Sequence, residues 1–278
     1  MNRSTDRILT THVGSLVRPP DVLEGILKKV SGQPRDEAAF NEMVRKGVQE
    51  NVRMQAEVGI DIPSDGEVGK PSFAGYITER LGGLQTTVEA PKSSASPMNY
   101  PILNEEFPGF MAQYNAMYRT IWMPRSIPRD LVDAAVERSR DERVIVVDTI
   151  TYQGQEEIQR DLAVYKEALE GLQFEEAFVP AATPSRSDED PEHVYPSEQA
   201  YLYAVADAMR EEYKAIVDAG FVVQLDLGLP ARNQVLPGSP RPTWEELRRA
   251  SEMQVEAYNH ALQASPRTGC GTTSAGAA

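Results

Sequence analysis

Along the chain, apolar runs of strand length alternate with segments whose apolar residues recur at helical spacing, the pattern of βα units around a parallel sheet. Leu9 to Leu16 is a short β-rich run ending in Gly14-Ser15. Asp36 can cap a helix in which Phe40, Val44, Val48 and Val52 fall four residues apart. Gly59 stops that helix, and Ile60-Asp61-Ile62 begins a second strand that ends at Asp65-Gly66-Glu67. Residues 69–140 break the rhythm with prolines and scattered aromatics, and they read as a long excursion after strand two with short helices and room for a hairpin. Val144-Ile145-Val146-Val147 resumes it as a continuous apolar run, typical of a strand buried on both faces. A helix over about 155–171 and a strand at Ala177–Pro180 follow. Beyond a polar, acidic loop (Ser185–Pro191), Ser197 caps a helix whose inner face carries Leu202, Val205, Met209, Tyr213 and Ile216. Gly220 ends it, and Phe221–Asp226 is the next strand. Thr243-Trp244-Glu245-Glu246 fits a capping box opening a helix to about Gln263.

This order predicts an α/β fold of about five βα units around a parallel sheet, with a long insertion after strand two; if the units belong to a (βα)8 barrel of the TIM type, that barrel is incomplete. The predicted division is a partial barrel over 1–263, interrupted at 69–140, and a structureless tail over 264–278. From Ala264 onward the helical and strand periods disappear, and no large apolar residue remains. Five strands of eight would leave unpaired edges at strand one and strand five, so self-association is expected.

Composition narrows the function classes. The chain has 278 residues, 41% hydrophobic, enough for one barrel-sized core. Net charge is −14, so nucleic acid and anionic membranes are not expected partners. No stretch approaches the roughly 18 apolar residues of a membrane span, and Met1–Arg7 has no signal-peptide core. The chain's one cysteine, Cys270, excludes an internal disulfide and fits a reducing cytoplasm. The three histidines (His12, His193, His260) form no metal-ligand spacing with it.

Candidate chemistry gathers at the C-terminal ends of the predicted strands, where a (βα)8 barrel carries its active site: Ser15, Asp65 and Glu67, Thr151 and Tyr152, and Asp226. Asp65 and Glu67, two apart, share a face if the strand is still extended there. They could hold an ammonium group or act as acid and base; equally, one of them could cap the following segment. Asp226 ends an otherwise apolar strand and is either a ligand-binding carboxylate or a turn residue. Gly14-Ser15 could offer backbone N–H groups to an anion or be an ordinary turn. His12 reads as a core residue, His193 as a loop residue and His260 as a helix C-terminal cation. Arg125 and Arg186 could meet an anion or lie in solvent.

Taken together, Thr10–Leu16, Gly59–Glu67, Tyr195–Tyr201 and Phe221–Asp226 resemble, in order and spacing, the catalytic barrel of cobalamin-independent methionine synthases and their short stand-alone relatives. The resemblance runs from about residue 8 to 263. It implies zinc-dependent methyl transfer to a thiol such as homocysteine, with a small-molecule methyl donor. The implied activity is that of a 5-methyltetrahydropteroyltriglutamate–homocysteine methyltransferase. It also implies that Val13, Gly14, Ser15 and Glu67 hold the amino-acid part of the thiol substrate, and that Asp226 reaches the same ammonium group. After Asp226 the chain departs from the family pattern: Leu227-Gly228 stands where an acidic residue and a proline are usual. The family's zinc ligands, a His-x-Cys followed by a Glu and a Cys, have no counterpart here. The expectation is a chain without bound zinc and without turnover. Read one base out of frame, with suitable synonymous codons, residues 264–277 become Gly-Ile-Pro-Glu-Asp-Arg-Val-Arg-Tyr-His-Leu-Cys-Trp-Gly, which contains that His-x-Cys. The tail therefore reads as the product of a frameshift; the alternative is a natural flexible tail on a degenerate homologue. Two other functions remain open: a coenzyme M-type alkyltransferase of the same superfamily, and a non-enzymatic barrel fragment.

Overall fold

The computed structural model describes residues 2, 4–72, 75–87, 101–121, 126–141, 143–184, 193–226, 242–263 and 270–273. In chain order the elements are α1 (Pro20–Val30), α2 (Glu37–Glu57), α3 (Gly75–Arg80), β1 (Leu81–Thr87), α4 (Pro101–Glu106), α5 (Pro108–Ile121), α6 (Arg129–Asp141), β2 (Arg143–Tyr152), α7 (Gln155–Leu169), β3 (Phe178–Ala182), α8 (Glu198–Asp218), β4 (Val222–Asp226), α9 (Trp244–Leu262) and β5 (Cys270–Thr273).

The helix boundaries follow from local chemistry. The Asp36 side chain accepts the Ala39 N–H, Ser197 accepts that of Ala200, and Thr243 and Glu246 close a reciprocal capping box. These contacts satisfy amide groups that the first turn of a helix leaves unpaired. The inner face of α8 is buried at every position its periodicity marks: Leu202, Val205, Met209, Tyr213 and Ile216. Burying each such side chain contributes about 1.5–3 kcal/mol. Tyr165 of α7 stacks on Phe221 at 4.8 Å and donates its hydroxyl to the Pro63 carbonyl, so one core joins helix, sheet and the second strand run.

β3, β4 and β5 form a parallel sheet in that order, with Ala182 beside Asp226 and Asp226 beside Thr273. On the far side of β3, Ser64 bridges Phe178 and Ile62 bridges Thr11, both parallel. The first two predicted strand runs thus keep their place in the sheet but are held by single bridges. The sheet does not close on itself among the described residues.

Two expectations meet a different structure. Val144–Val147 is not a strand of the parallel sheet. It belongs to β2, which pairs antiparallel with β1 in a separate two-stranded sheet. Val146 is 0% exposed and Val147 is 44% exposed, so one face is covered and the other is not. A hairpin strand has one packed face, and an apolar run by itself does not reveal which kind of strand it forms. The excursion therefore extends past the expected limit of 140 to Tyr152. Gly83 permits the pairing: at φ 84° it forms a bulge, and a side chain there would meet the Thr149 carbonyl oxygen at 2.5 Å. The second difference is in the tail expected to lack structure, where Cys270–Thr273 forms β5 against β4. Residues 264–269 and 274–278 lie outside the described residues, as do Arg125 and Arg186.

No helix among the described residues is long and apolar enough to cross a membrane.

Candidate functional site

The turn that follows the second strand run is built to fix one side chain. Ser64 Oγ accepts the Gly66 N–H at 3.0 Å, and Asp65 Oδ1 accepts the Glu67 N–H at 3.0 Å. The Gly66 carbonyl accepts the Leu16 N–H at 3.1 Å, tying the turn to the first strand run. Gly66 sits at φ 70°, and a side chain on it would come within 2.7 Å of Asn51 Nδ2. Glu67 then takes φ 54°, the one non-glycine in the left-handed region among the described residues. That conformation costs an L-residue about 1–2 kcal/mol, and such strain tends to persist where a side chain must be aimed.

The carboxylate so placed is 3% exposed. The Ser15 hydroxyl donates to Glu67 Oε2 at 2.7 Å. Oε1 is buried and has no hydrogen-bond partner among the described residues. A buried carboxylate oxygen without a donor is costly, and the cost is removed by any donor that enters. Arg18 stands behind the pair. Its Nη2 reaches Ser15 Oγ at 3.3 Å, the Glu67 carbonyl at 3.1 Å and the Lys70 carbonyl at 2.9 Å, and its Nε reaches the Val68 carbonyl at 3.3 Å. His12 closes the other flank through Nε2, 2.9 Å from Ser64 Oγ. Burial pushes its imidazole below the ordinary value; the Gln55 side chain and the Glu67 carboxylate offset this only in part.

The structure brings Ser15 and Glu67 into contact, with Gly14 adjoining and Val13 57% exposed beside them. Asp65 serves the turn through its bond to the Glu67 amide. Asp226 ends β4 at the same, C-terminal end of the sheet, in register with Ala182 and Thr273. Thr151 and Tyr152 are not at an end of that sheet; they lie on β2, opposite Gly82 and Leu81.

Tyr152 instead joins a cluster that the sequence did not reveal. Glu212 of α8, 1% exposed, accepts Tyr76 OH at Oε1 (3.1 Å), and Arg80 Nη1 (2.9 Å) and Tyr152 OH (2.8 Å) at Oε2. Arg80 also pairs with Asp161 of α7. Tyr76 OH accepts the Ala182 N–H at 2.8 Å, so the cluster reaches the end of β3. Burial opposes the charge on Arg80, yet Glu212 and Asp161 raise its affinity for the proton. Burial and the Glu212 charge together push the Tyr76 and Tyr152 phenols up. The clasp locks α3 and β2, both from the excursion, onto α7 and α8. One signal for Glu212 was present in the sequence: it stands three residues after Met209 on an otherwise apolar helix face. Arg18, three residues after Ser15, carried no comparable mark. A cavity of about 210 Å³ opens between the turn and the clasp, lined by Asp65, Lys70, Tyr76, Arg80, Arg160 and Asp161 among others.

No group of three or more His, Cys, Asp or Glu among the described residues could hold a metal ion. His260 is paired with Asp207 at 2.8 Å, and His193 is exposed in a loop before α8. Among the described residues, these donors do not fit the zinc site implied by the sequence resemblance.

No protein-family profile matches the chain. No curated protein matches it either. Among solved structures, it is similar to a B12-independent methionine synthase from Shewanella sp. W3-18-1 determined in complex with selenomethionine. Identity is 16% and the TM-score 0.55, over 95% of this chain and 60% of that one. It is likewise similar to a putative vitamin-B12-independent methionine synthase from Listeria monocytogenes, with 16% identity and a TM-score of 0.56, over 96% and 66% of the two chains. The chain thus spans 60–66% of the length of these solved structures. The likeness is one of fold: a mixed α/β chain with the fold of B12-independent methionine synthases.

Proposed function

We propose that this chain carries the amino-acid-binding part of a methionine-synthase-like methyltransferase, and that it binds a thiol or thioether amino acid such as homocysteine or methionine without turning it over. The observation that carries this reading is the half-satisfied Glu67 carboxylate, with Oε2 held by Ser15 and Oε1 buried without a donor. An α-ammonium group supplies the missing donors and a compensating charge in one group. Val13, Gly14 and Ser15 are proposed to border the amino-acid backbone, and Asp226, which ends β4 at the same end of the sheet, to be the second carboxylate that the sequence resemblance implies. The Shewanella neighbour, determined with selenomethionine, makes an amino acid of this kind the natural first ligand to test. In the complete reaction a bond forms from the substrate sulfur to the methyl carbon as the donor's bond to that carbon breaks, and the thiol proton is lost. This chain's part is to orient the amino acid so that sulfur faces the donor.

The rest of the reading concerns the tail. A frame-restored sequence places its histidine at position 273, the position in register with Asp226. Further βα units then close the sheet into a (βα)8 barrel and bring the remaining zinc ligands. Zinc, were it held by those ligands, would supply thiol activation. The test has two parts. Titration calorimetry with L-methionine should give a saturable isotherm for the chain and none for Glu67→Gln. The coding DNA, with one base restored near codon 263, should open a frame of roughly 80–110 further residues, containing His-x-Cys and a later Glu and Cys. No binding overturns the amino-acid site; a stop codon soon after the restored motif overturns the frameshift.

A further inference from the structure

Arg18 uses an unusual set of partners. Its guanidinium meets three main-chain carbonyls, of Glu67, Val68 and Lys70, and the Ser15 hydroxyl. All three carbonyls belong to one turn, and that turn is where Glu67 adopts φ 54°. On its other side the turn's N–H groups are already fixed by Ser64 and Asp65. Glu67 is therefore gripped from both sides, by two side-chain acceptors before it and one cation behind it. A cation facing three carbonyl dipoles acts as it would at a helix C-terminus, where such groups converge. The same Nη2 that grips the turn also donates to Ser15, whose own proton then points to Glu67 Oε2. With Oε2 occupied this way, Oε1 is the oxygen left for a ligand.

We infer that Arg18 is a positioning residue that sets selectivity for an amine. By clamping residues 67–70 and orienting Ser15, it holds Glu67 so that Oε1 meets a ligand ammonium, and the site thereby prefers α-amino acids to the same molecules without the amino group. This inference rests on the amino-acid reading given above.

The test compares two ligands that differ only in that group, L-methionine and 4-(methylthio)butanoate, by calorimetry on the full chain, Arg18→Gln and Arg18→Lys. The full chain should prefer L-methionine by about tenfold or more, the range of one charge-assisted contact. Arg18→Gln, still melting cooperatively, should lose most of that preference. Arg18→Lys, which keeps the charge but not the planar fork, should fall between the two. If Arg18→Gln or Arg18→Lys weakens both ligands equally and leaves the ratio at the parent value, Arg18 supports the fold only and the inference is overturned. Should Arg18→Gln fail to fold, Arg18→Lys decides, and an unchanged ratio there overturns it. If the full chain itself shows no preference, the underlying amino-acid reading is what fails.

Discussion

Two glutamates among the described residues are buried to nearly the same depth, Glu212 at 1% exposure and Glu67 at 3%. They differ in what surrounds them. Both oxygens of Glu212 are engaged, by two tyrosine hydroxyls and a guanidinium, and the helix carrying it is regular. Glu67 has one oxygen engaged, by a serine, and its backbone is in the left-handed region. A buried charge that the protein satisfies completely has been recruited to hold elements together. A buried charge left half-satisfied on a strained backbone is incomplete until something else arrives. Burial alone does not separate the two glutamates; the count of partners does, and it is the basis on which we propose Glu67 as the binding carboxylate.

The largest expected effect falls on the satisfied member. Glu212→Gln leaves Arg80 its pair with Asp161 but removes the anionic acceptor shared by Arg80 and two buried phenols, which should cost about 3 kcal/mol. Denaturant unfolding of the pure variant measures it, and a loss under about 1 kcal/mol would put the clasp among ordinary surface pairs. Next comes the backbone beneath Glu67. Gly66→Ala forces a side chain into φ 70° and against Asn51. A cost of about 1–2 kcal/mol is expected from the conformation, with loss of L-methionine binding as the turn shifts. A variant as stable as the parent that still binds would show that the turn is not held as described.

A smaller effect concerns pH. Asp61 anchors the first strand run by pairing with Arg7 and by accepting the Thr10 N–H and hydroxyl. The Arg7 bond, and after it the Thr10 amide, hold its carboxyl well below the usual carboxylate range. A group lowered in the folded state adds stability that is fully present above its unfolded value, near about 3.9. That stability is lost as pH falls through the folded value. Melting of the parent and Asp61→Asn should therefore differ at pH 7, and the gap should begin to shrink below about pH 4 and close only as pH falls through the folded value. A gap that stays constant with pH would mean that Asp61 contributes by shape and not by charge.

Much of this was legible in the chain, for physical reasons. Asp36, Ser197 and Thr243 act over three residues, so their caps can be read locally. The buried face of α8 follows from its period. Val144–Val147 was misplaced because its partner strand, Leu81–Thr87, lies across the excursion, and nothing local distinguishes a hairpin strand from a central one. At the site, Ser15 and Glu67 were each legible as residues at strand ends, but their direct hydrogen bond was not, because it joins residues 52 apart in the chain. Arg18 escaped notice because its partners are carbonyls, which leave no trace in residue identity. Glu212 was readable as an acid on an apolar face, but its three partners come from two distant segments.

The most direct measurement is the melting temperature of the parent and of Glu67→Gln, each with and without saturating L-methionine. Without ligand, Glu67→Gln should melt at or slightly above the parent, because a buried carboxylate with only one oxygen engaged has been replaced by a neutral amide. With ligand the parent should rise, by linkage to binding, and the variant should not. A variant that melts far below the parent when empty, or that rises as much as the parent with L-methionine, would contradict the claim that Glu67 is a binding carboxylate awaiting an amine.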